Sequence, residues 1–158
     1  MRGLGRIGGI EGFREGEIRR QASARVTVST PGQGFTDITA SVADFLRRSG
    51  IGQGLLTLFC RHTSASLTIQ ENADPDVRSD LMTALDGLAP RLPGGGYIHS
   101  AEGPDDMPAH IRTLLTDSGL TIPVTDGRLV LGTWQGIYLI EHRDRPHRRD
   151  IVLHVAGE

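Results

Sequence analysis

Leu55-Leu56-Thr57-Leu58-Phe59-Cys60-Arg61, then the turn His62-Thr63-Ser64-Ala65, then Ser66-Leu67-Thr68-Ile69-Gln70, is the stretch that decides the fold. The first run is almost continuously apolar, the pattern of a central strand buried on both faces. The last reads as a second strand. Upstream, Ile18 to Ser29 alternates, with Ala22, Ala24, Val26 and Val28 on one face, and Pro31-Gly32-Gln33-Gly34 makes a turn. Asp37 can cap a helix whose apolar stripe is Ile38, Val42, Phe45 and Leu46 and which stops at Gly50. Downstream, Asp74 caps and Pro75 opens a second helix with the stripe Val77, Leu81, Leu85 and Leu88. Pro90 and Pro93-Gly94-Gly95-Gly96 break the chain. A third helix starts near Pro108, with Asp105 and Asp106 at its positive end, Ile111, Leu114 and Leu115 as its buried face and Gly119 as its stop. Leu120–Val124 and Arg128–Leu131 flank Thr125-Asp126-Gly127, a hairpin signal, and Ile137–Glu141 and Ile151–Val155 read as two more strands. The expectation is one α+β domain over residues 13–158, mostly antiparallel, with about three helices packed on a sheet or pair of sheets. The glycine-rich residues 1–12 are expected to be flexible.

Composition narrows the chemistry. The chain has 158 residues, enough for one real core, and a formal net charge of −2, too small for a surface-wide attraction to nucleic acid or anionic lipid. All 17 basic residues counted as Lys or Arg are arginine, which excludes a Schiff-base lysine, a P-loop lysine and a lysine general base. The single Cys60 excludes an internal disulfide, and its apolar surroundings suit a buried, inert thiol. No run approaches the ~18 apolar residues of a membrane span, and the N-terminus lacks the apolar core of a signal peptide. A cytoplasmic protein is expected.

The candidate chemistry lies at element ends. His62, His99 and His110 sit in three separated segments, each beside hydroxyls, small residues or carboxylates. If they converge, they form a three-histidine site suited to zinc or a similar cation. Thr63, Ser64 and Ser66 follow His62 and can offer hydroxyls and turn amides to an anion. Glu71-Asn72-Ala73-Asp74 closes the next strand with two carboxylates and an amide; Asn72 and Asp74 serve equally as turn and cap. His99 to His110 holds both histidines with Glu102, Asp105 and Asp106. Gly132-Thr133-Trp134-Gln135-Gly136 is a tight turn whose ring and amide fit either a core anchor or a pocket wall. The segment from His142 to Arg149 concentrates four arginines and two histidines after Glu141, the best candidate for a phosphate or diphosphate clamp. His154, alternating with Leu153 and Val155, reads as structural.

Four of these runs carry a family resemblance: His62-Thr63-Ser64-Ala65-Ser66-Leu67, Glu71-Asn72-Ala73-Asp74-Pro75, Asp105-Asp106-Met107-Pro108-Ala109-His110-Ile111 and Leu131-Gly132-Thr133-Trp134-Gln135-Gly136-Ile137-Tyr138-Leu139. In this order they resemble the YjbQ-like family, small proteins labelled secondary thiamine-phosphate synthases. The similarity runs from about residue 18 to the C-terminus. The resemblance implies a YjbQ-like α+β fold, a homotrimer, and a pocket holding a divalent metal, zinc or magnesium, with His62, His99 and His110 as candidate ligands. It implies catalytic roles for Glu71, Asp106 and Glu141, and substrate contacts from Thr63, Ser64, Asn72, Asp74, Trp134, Gln135, Arg148 and Arg149. His142 and His147 lie where family members are expected to vary.

The implied reaction couples an aminopyrimidine-methyl diphosphate to a thiazole phosphate and releases diphosphate. Two alternatives use the same residues. One is metal-dependent hydrolysis of a phosphorylated small molecule with Asp106 or Glu71 as base. The other is a trimeric ligand-binding or regulatory module without turnover. Nucleic acid is the weakest partner, because the arginines are local and aromatics few.

Overall fold

The computed structural model describes residues 9, 11, 13, 15–92 and 96–158. The expectation of a flexible N-terminal dozen, and the centre of the Pro93-Gly94-Gly95-Gly96 break, therefore fall mostly outside the described residues. The order is β1 Arg20–Thr30, β2 Gly34–Asp37, α1 Thr39–Ser49, β3 Gly54–Cys60, β4 Ala65–Glu71, α2 Pro75–Leu88, α3 Asp106–Leu115, β5 Gly119–Thr125, β6 Arg128–Leu129, β7 Gln135–Glu141 and β8 His147–Gly157. Every strand pairing is antiparallel. Five strands form one sheet in the order β1-β8-β3-β5-β6, and three form another in the order β2-β7-β4. The α+β expectation holds in its two-sheet form.

The core lies between the sheets. Leu56 and Leu58 of β3, Ile122 and Val124 of β5, and Ile151, Leu153 and Val155 of β8 meet Ala65 and Leu67 of β4 and Ile137 and Leu139 of β7. Each fully buried leucine or isoleucine contributes about 1.5–3 kcal/mol relative to exposure. Val42 and Leu46 place one stripe of α1 in the same cluster. Helices α2 and α3 touch each other and, respectively, β2 and β4. They lie against the second face of the small sheet, where Ser66, Tyr138 and Ile140 are also buried.

Local rules explain most ends. Asp37 Oδ1 accepts the Thr39 amide at 2.8 Å, and Gly50 closes α1 with φ 66°, a conformation that favours glycine. Asp74 Oδ1 accepts the Asp76 amide at 2.9 Å, with Pro75 in the first turn of α2. Asp126 and Gly127 both take positive φ, 51° and 69°, joining β5 to β6 as the hairpin signal requires.

Three expectations change. Strand β3 is buried on one face only: Leu55 and Phe59 are 48% and 52% exposed, while Leu56 and Leu58 on the other face are fully buried. Helix α3 is rotated from the expected stripe. It buries Asp106, Pro108, Ala109 and Arg112, while Leu114 is 84% and Leu115 55% exposed. It also ends at Leu115, and Gly119 begins β5. Strand β2, at the end of the expected turn, has no counterpart in the sequence reading; its four residues pair with the middle and end of β7. Among the described residues no helix is long and apolar enough to cross a membrane.

Candidate metal centre

Asp106 opens α3, and His110 lies one helical turn later, so the spacing of four puts both on one side of the helix. The loop before α3 folds His99 back onto them. The donor atoms of His99, Asp106 and His110 all lie within 4.8 Å of one another. His99 Nε2 stands 2.7 Å and His110 Nε2 3.5 Å from Asp106 Oδ2, and the two imidazoles meet edge to face with centroids 5.5 Å apart.

The surroundings orient these groups. His110 Nδ1 lies 3.0 Å from the Thr63 carbonyl, so it carries the proton and leaves the Nε2 lone pair facing the cluster. Asp106 is 2% exposed, and its other oxygen is held by Arg143 Nη1. Arg143 also donates from Nε to Asp105 Oδ2 at 2.9 Å and from Nη2 to the Glu102 carbonyl at 2.8 Å. Burial alone would raise the Asp105 pKa, but the Asp144 amide and Arg143 outweigh it and hold the carboxyl below its ordinary range. The same carboxylates push the Arg143 pKa up against its desolvation. One guanidinium therefore fastens the whole turn ahead of α3.

His62 is placed beside this cluster rather than in it. Its Nε2 accepts the Asp150 amide at 2.7 Å, which puts the proton of the neutral ring on Nδ1. Burial, then the charge of Arg149, lowers its pKa and keeps the ring neutral. His62 and His110 share an open cleft of ≈ 680 Å³ with Phe59, Arg61, Thr63 and Leu114.

The remaining candidates divide. Glu141 and Arg149 form a buried pair at one end of the sheets: Glu141 Oε2 accepts from Arg149 Nε at 2.7 Å and from Thr30 Oγ1 at 2.8 Å, and Oε1 accepts the Arg143 amide at 3.0 Å. Burial raises the Glu141 pKa, but these donors, Arg149 foremost, bring it below the ordinary value. Arg149 Nη2 reaches Ser64 Oγ at 3.1 Å. Neither charge is presented to a ligand. The cationic segment is thus taken apart: Arg143 and Arg149 serve carboxylates, His142 is fully buried, and Arg145 and Arg148 are exposed.

Glu71, Asn72, Asp74, Trp134 and Gln135 assemble elsewhere. The Asn72 amide donates to the Trp134 carbonyl at 3.0 Å, and Gln135 Oε1 accepts the Gly132 amide at 2.7 Å. Trp134 is 64% exposed, so it is not a core anchor. Gly136 is required there, since a Cβ would come within 2.9 Å of the Tyr138 ring and 3.2 Å of Asn72 Cβ. His154 bonds Ser23 at 2.8 Å, and Cys60 is 2% exposed, both as expected for structural residues.

The YjbQ-like family profile of UPF0047 proteins matches residues 24–158. The chain belongs to the YjbQ-like UPF0047 family. A UPF0047 relative from Synechocystis, sll1880, is 50% identical over 139 residues, covering 88% of this chain and 94% of its own. YjbQ of Salmonella typhimurium is 44% identical, covering 84% and 96%. A conserved hypothetical protein from Thermus thermophilus has a crystal structure that superposes with a TM-score of 0.72 at 40% identity, covering 82% of this chain and 97% of that one. A YbjQ-like protein of unknown function from Sulfolobus solfataricus shares the fold, with a TM-score of 0.76 at 24% identity, covering 88% of this chain and 100% of that one.

Two residues take roles that the sequence pattern does not signal. Arg143 belongs by sequence to the candidate phosphate clamp, yet it braces Asp105 and Asp106. His142 belongs to the same segment, yet it is fully buried with Nε2 at 2.8 Å from Ser66 Oγ. Neither has a local signal, because the partners lie tens of residues away in sequence.

Proposed function

We propose that this UPF0047 protein is a cation-dependent enzyme acting on phosphorylated small molecules. The observation that carries the reading is the gathering of two imidazoles and one carboxylate, His99, His110 and Asp106, beside an open cleft. Three protein donors with open positions are the pattern of a reactive rather than a purely structural site. The donor set fits zinc or another borderline divalent ion, which His99, Asp106 and His110 would hold. Such an ion supplies positive charge for phosphate oxygens.

The specific reaction we propose is thiamine phosphate formation. The thiazole nitrogen bonds to the methylene carbon of an aminopyrimidine-methyl diphosphate as the carbon–oxygen bond to diphosphate breaks, and diphosphate leaves with the electron pair. The work asked of this chain is positioning and charge stabilisation. His62, with a fixed Nδ1–H, donates a hydrogen bond into the cleft, and Arg61 adds a cation at its rim. Arg143 holds one oxygen of Asp106 and aims the other at the two imidazoles. A cytoplasmic homotrimer is the form in which we expect it to act.

A second reading, hydrolysis of a phosphate ester, is favoured by one observation: Arg143 and Arg149 are committed to carboxylates, which leaves little arginine for a departing diphosphate. Metal analysis of the purified protein, together with diphosphate release from the pyrimidine and thiazole substrates, tests both. The synthase reading expects bound cation, and diphosphate formed only when the thiazole partner is present. His99→Ala and His110→Ala should lose both cation and product. Full metal content and full activity in those variants would overturn the site, and release of inorganic phosphate without coupling would select the hydrolase.

A further inference from the structure

The polar residues singled out by the sequence sit at opposite ends of one strand pair. Ala65 pairs with Glu141 and Glu71 with Gln135, so β4 and β7 carry Ser64, Glu141 and the nearby histidines at one end and Glu71, Asn72, Trp134 and Gln135 at the other. Seven residues of strand at ~3.3 Å each separate the two ends by about 20 Å. A small-molecule site does not span that distance within one copy.

The two halves complement each other. The histidine half has an open cleft whose walls, Phe59 and Leu114, are 52% and 84% exposed in a single chain. The other half has the chain's only tryptophan, 64% exposed on a turn stiffened by the Gly132–Gln135 and Asn72–Trp134 hydrogen bonds. A rigid, projecting tryptophan is the kind of group that anchors an interface by filling a pocket. The charges also match. Glu71, which pairs with Gln135, and Asp74, whose amide bonds the Glu71 carboxylate, lie beside the Trp134 turn, while Arg61 stands at the rim of the cleft.

We infer that the Trp134 turn of a second copy of this chain seats between Phe59 and Leu114, so each site takes His99, Asp106 and His110 from one copy and Trp134 and Gln135 from the next. The two contacting patches differ, which makes the interface head-to-tail and lets the copies close into a ring. The inference rests on the reading of the histidine cluster as the reaction centre. The neighbour's ring then lies where it can stack on a planar heterocycle, and its Gln135 amide where it can read that ring's edge. A planar heterocycle bearing phosphate is the substrate class that fits both halves.

Trp134 reports on this directly, being the only tryptophan. The experiment compares emission and acrylamide quenching of the full chain with those of Leu114→Glu, measuring assembly mass and cation content on the same samples. The native protein should be an oligomer with blue-shifted, quencher-protected emission. Leu114→Glu should shift the emission to the red, lose the protection and reduce the assembly while keeping its cation. Phe59→Ser, on the opposite wall, repeats the comparison if Leu114→Glu does not fold. A quencher-accessible Trp134 in the native protein, or equal protection in native protein and variants, overturns the shared site. Protected Trp134 in a protein that binds no cation would instead retire the cation reading and leave the shared arrangement standing.

Discussion

Acid should destabilise this protein in two steps, and the first belongs largely to His142. The ring is fully buried, its Nε2 bonds Ser66 Oγ, and its Nδ1 has no partner among the described residues. Burial, then the nearby charge of Arg112, lowers its pKa from 6.5 to about 4. The folded state therefore binds a proton at His142 less readily than the unfolded chain does. The stability tied to that difference is fully present above pH 6.5 and is lost as pH falls toward 4. At ~1.4 kcal/mol per unit the whole window amounts to about 3 kcal/mol, of which about 2 kcal/mol is lost between roughly pH 7 and pH 5. The depressed carboxyls Glu141 and Asp105 act later, since their stabilisation falls only below the ordinary carboxylate range. Urea unfolding followed by circular dichroism at a series of pH values, at fixed protein concentration, measures this for native protein and for His142→Gln. Gln can still bond Ser66 but does not titrate. The native midpoint should drop between pH 7 and 5, and the variant's should drop by markedly less. Parallel curves would refute the argument and place the acid sensitivity elsewhere, with His62 the next group to test.

Other outcomes follow from single contacts. Arg143→Gln, which releases Asp105, Asp106 and the Glu102 carbonyl together, should weaken cation binding about 10–100-fold by calorimetric titration while the fold survives. Leu56→Ala, at a fully buried β3 position, should cost about 2–5 kcal/mol in chemical denaturation. Asp74→Ala removes the cap of α2 and should cost about 1 kcal/mol. Cys60, buried with its thiol pKa raised by desolvation, should stay unreactive to a thiol reagent until the protein is unfolded.

Much of the fold was legible in the sequence. Alternation placed β1, apolar runs placed β7 and β8, capping residues placed α1 and α2, and Asp126-Gly127 placed the hairpin, because each signal acts over a few residues of chain. The two misplaced faces share one cause. Periodicity reports how apolar a face is, not whether another layer reaches it; Phe59 and Leu114 are apolar and exposed. The site was half legible. His99, Asp106 and His110 stood out as histidines and acids near a helix start, and helical spacing brought two of them together. The expected third imidazole, His62, is held by the Asp150 amide instead, and a carboxylate stands in the cluster.

The sequence alone determined most of the element types and their order, β2 excepted, together with the antiparallel α+β class and the family, since those follow from local chemistry and ordered motifs. Only the tertiary structure decided how charge is shared. It paired Arg149 with Glu141 and Arg143 with the Asp105–Asp106 turn, and it sent Trp134 to the far end of β7 from the histidines. Those outcomes depend on sheet register and helix rotation, which bring together groups such as Arg143 and Asp105, 38 residues apart, and no pattern along the chain encodes that meeting.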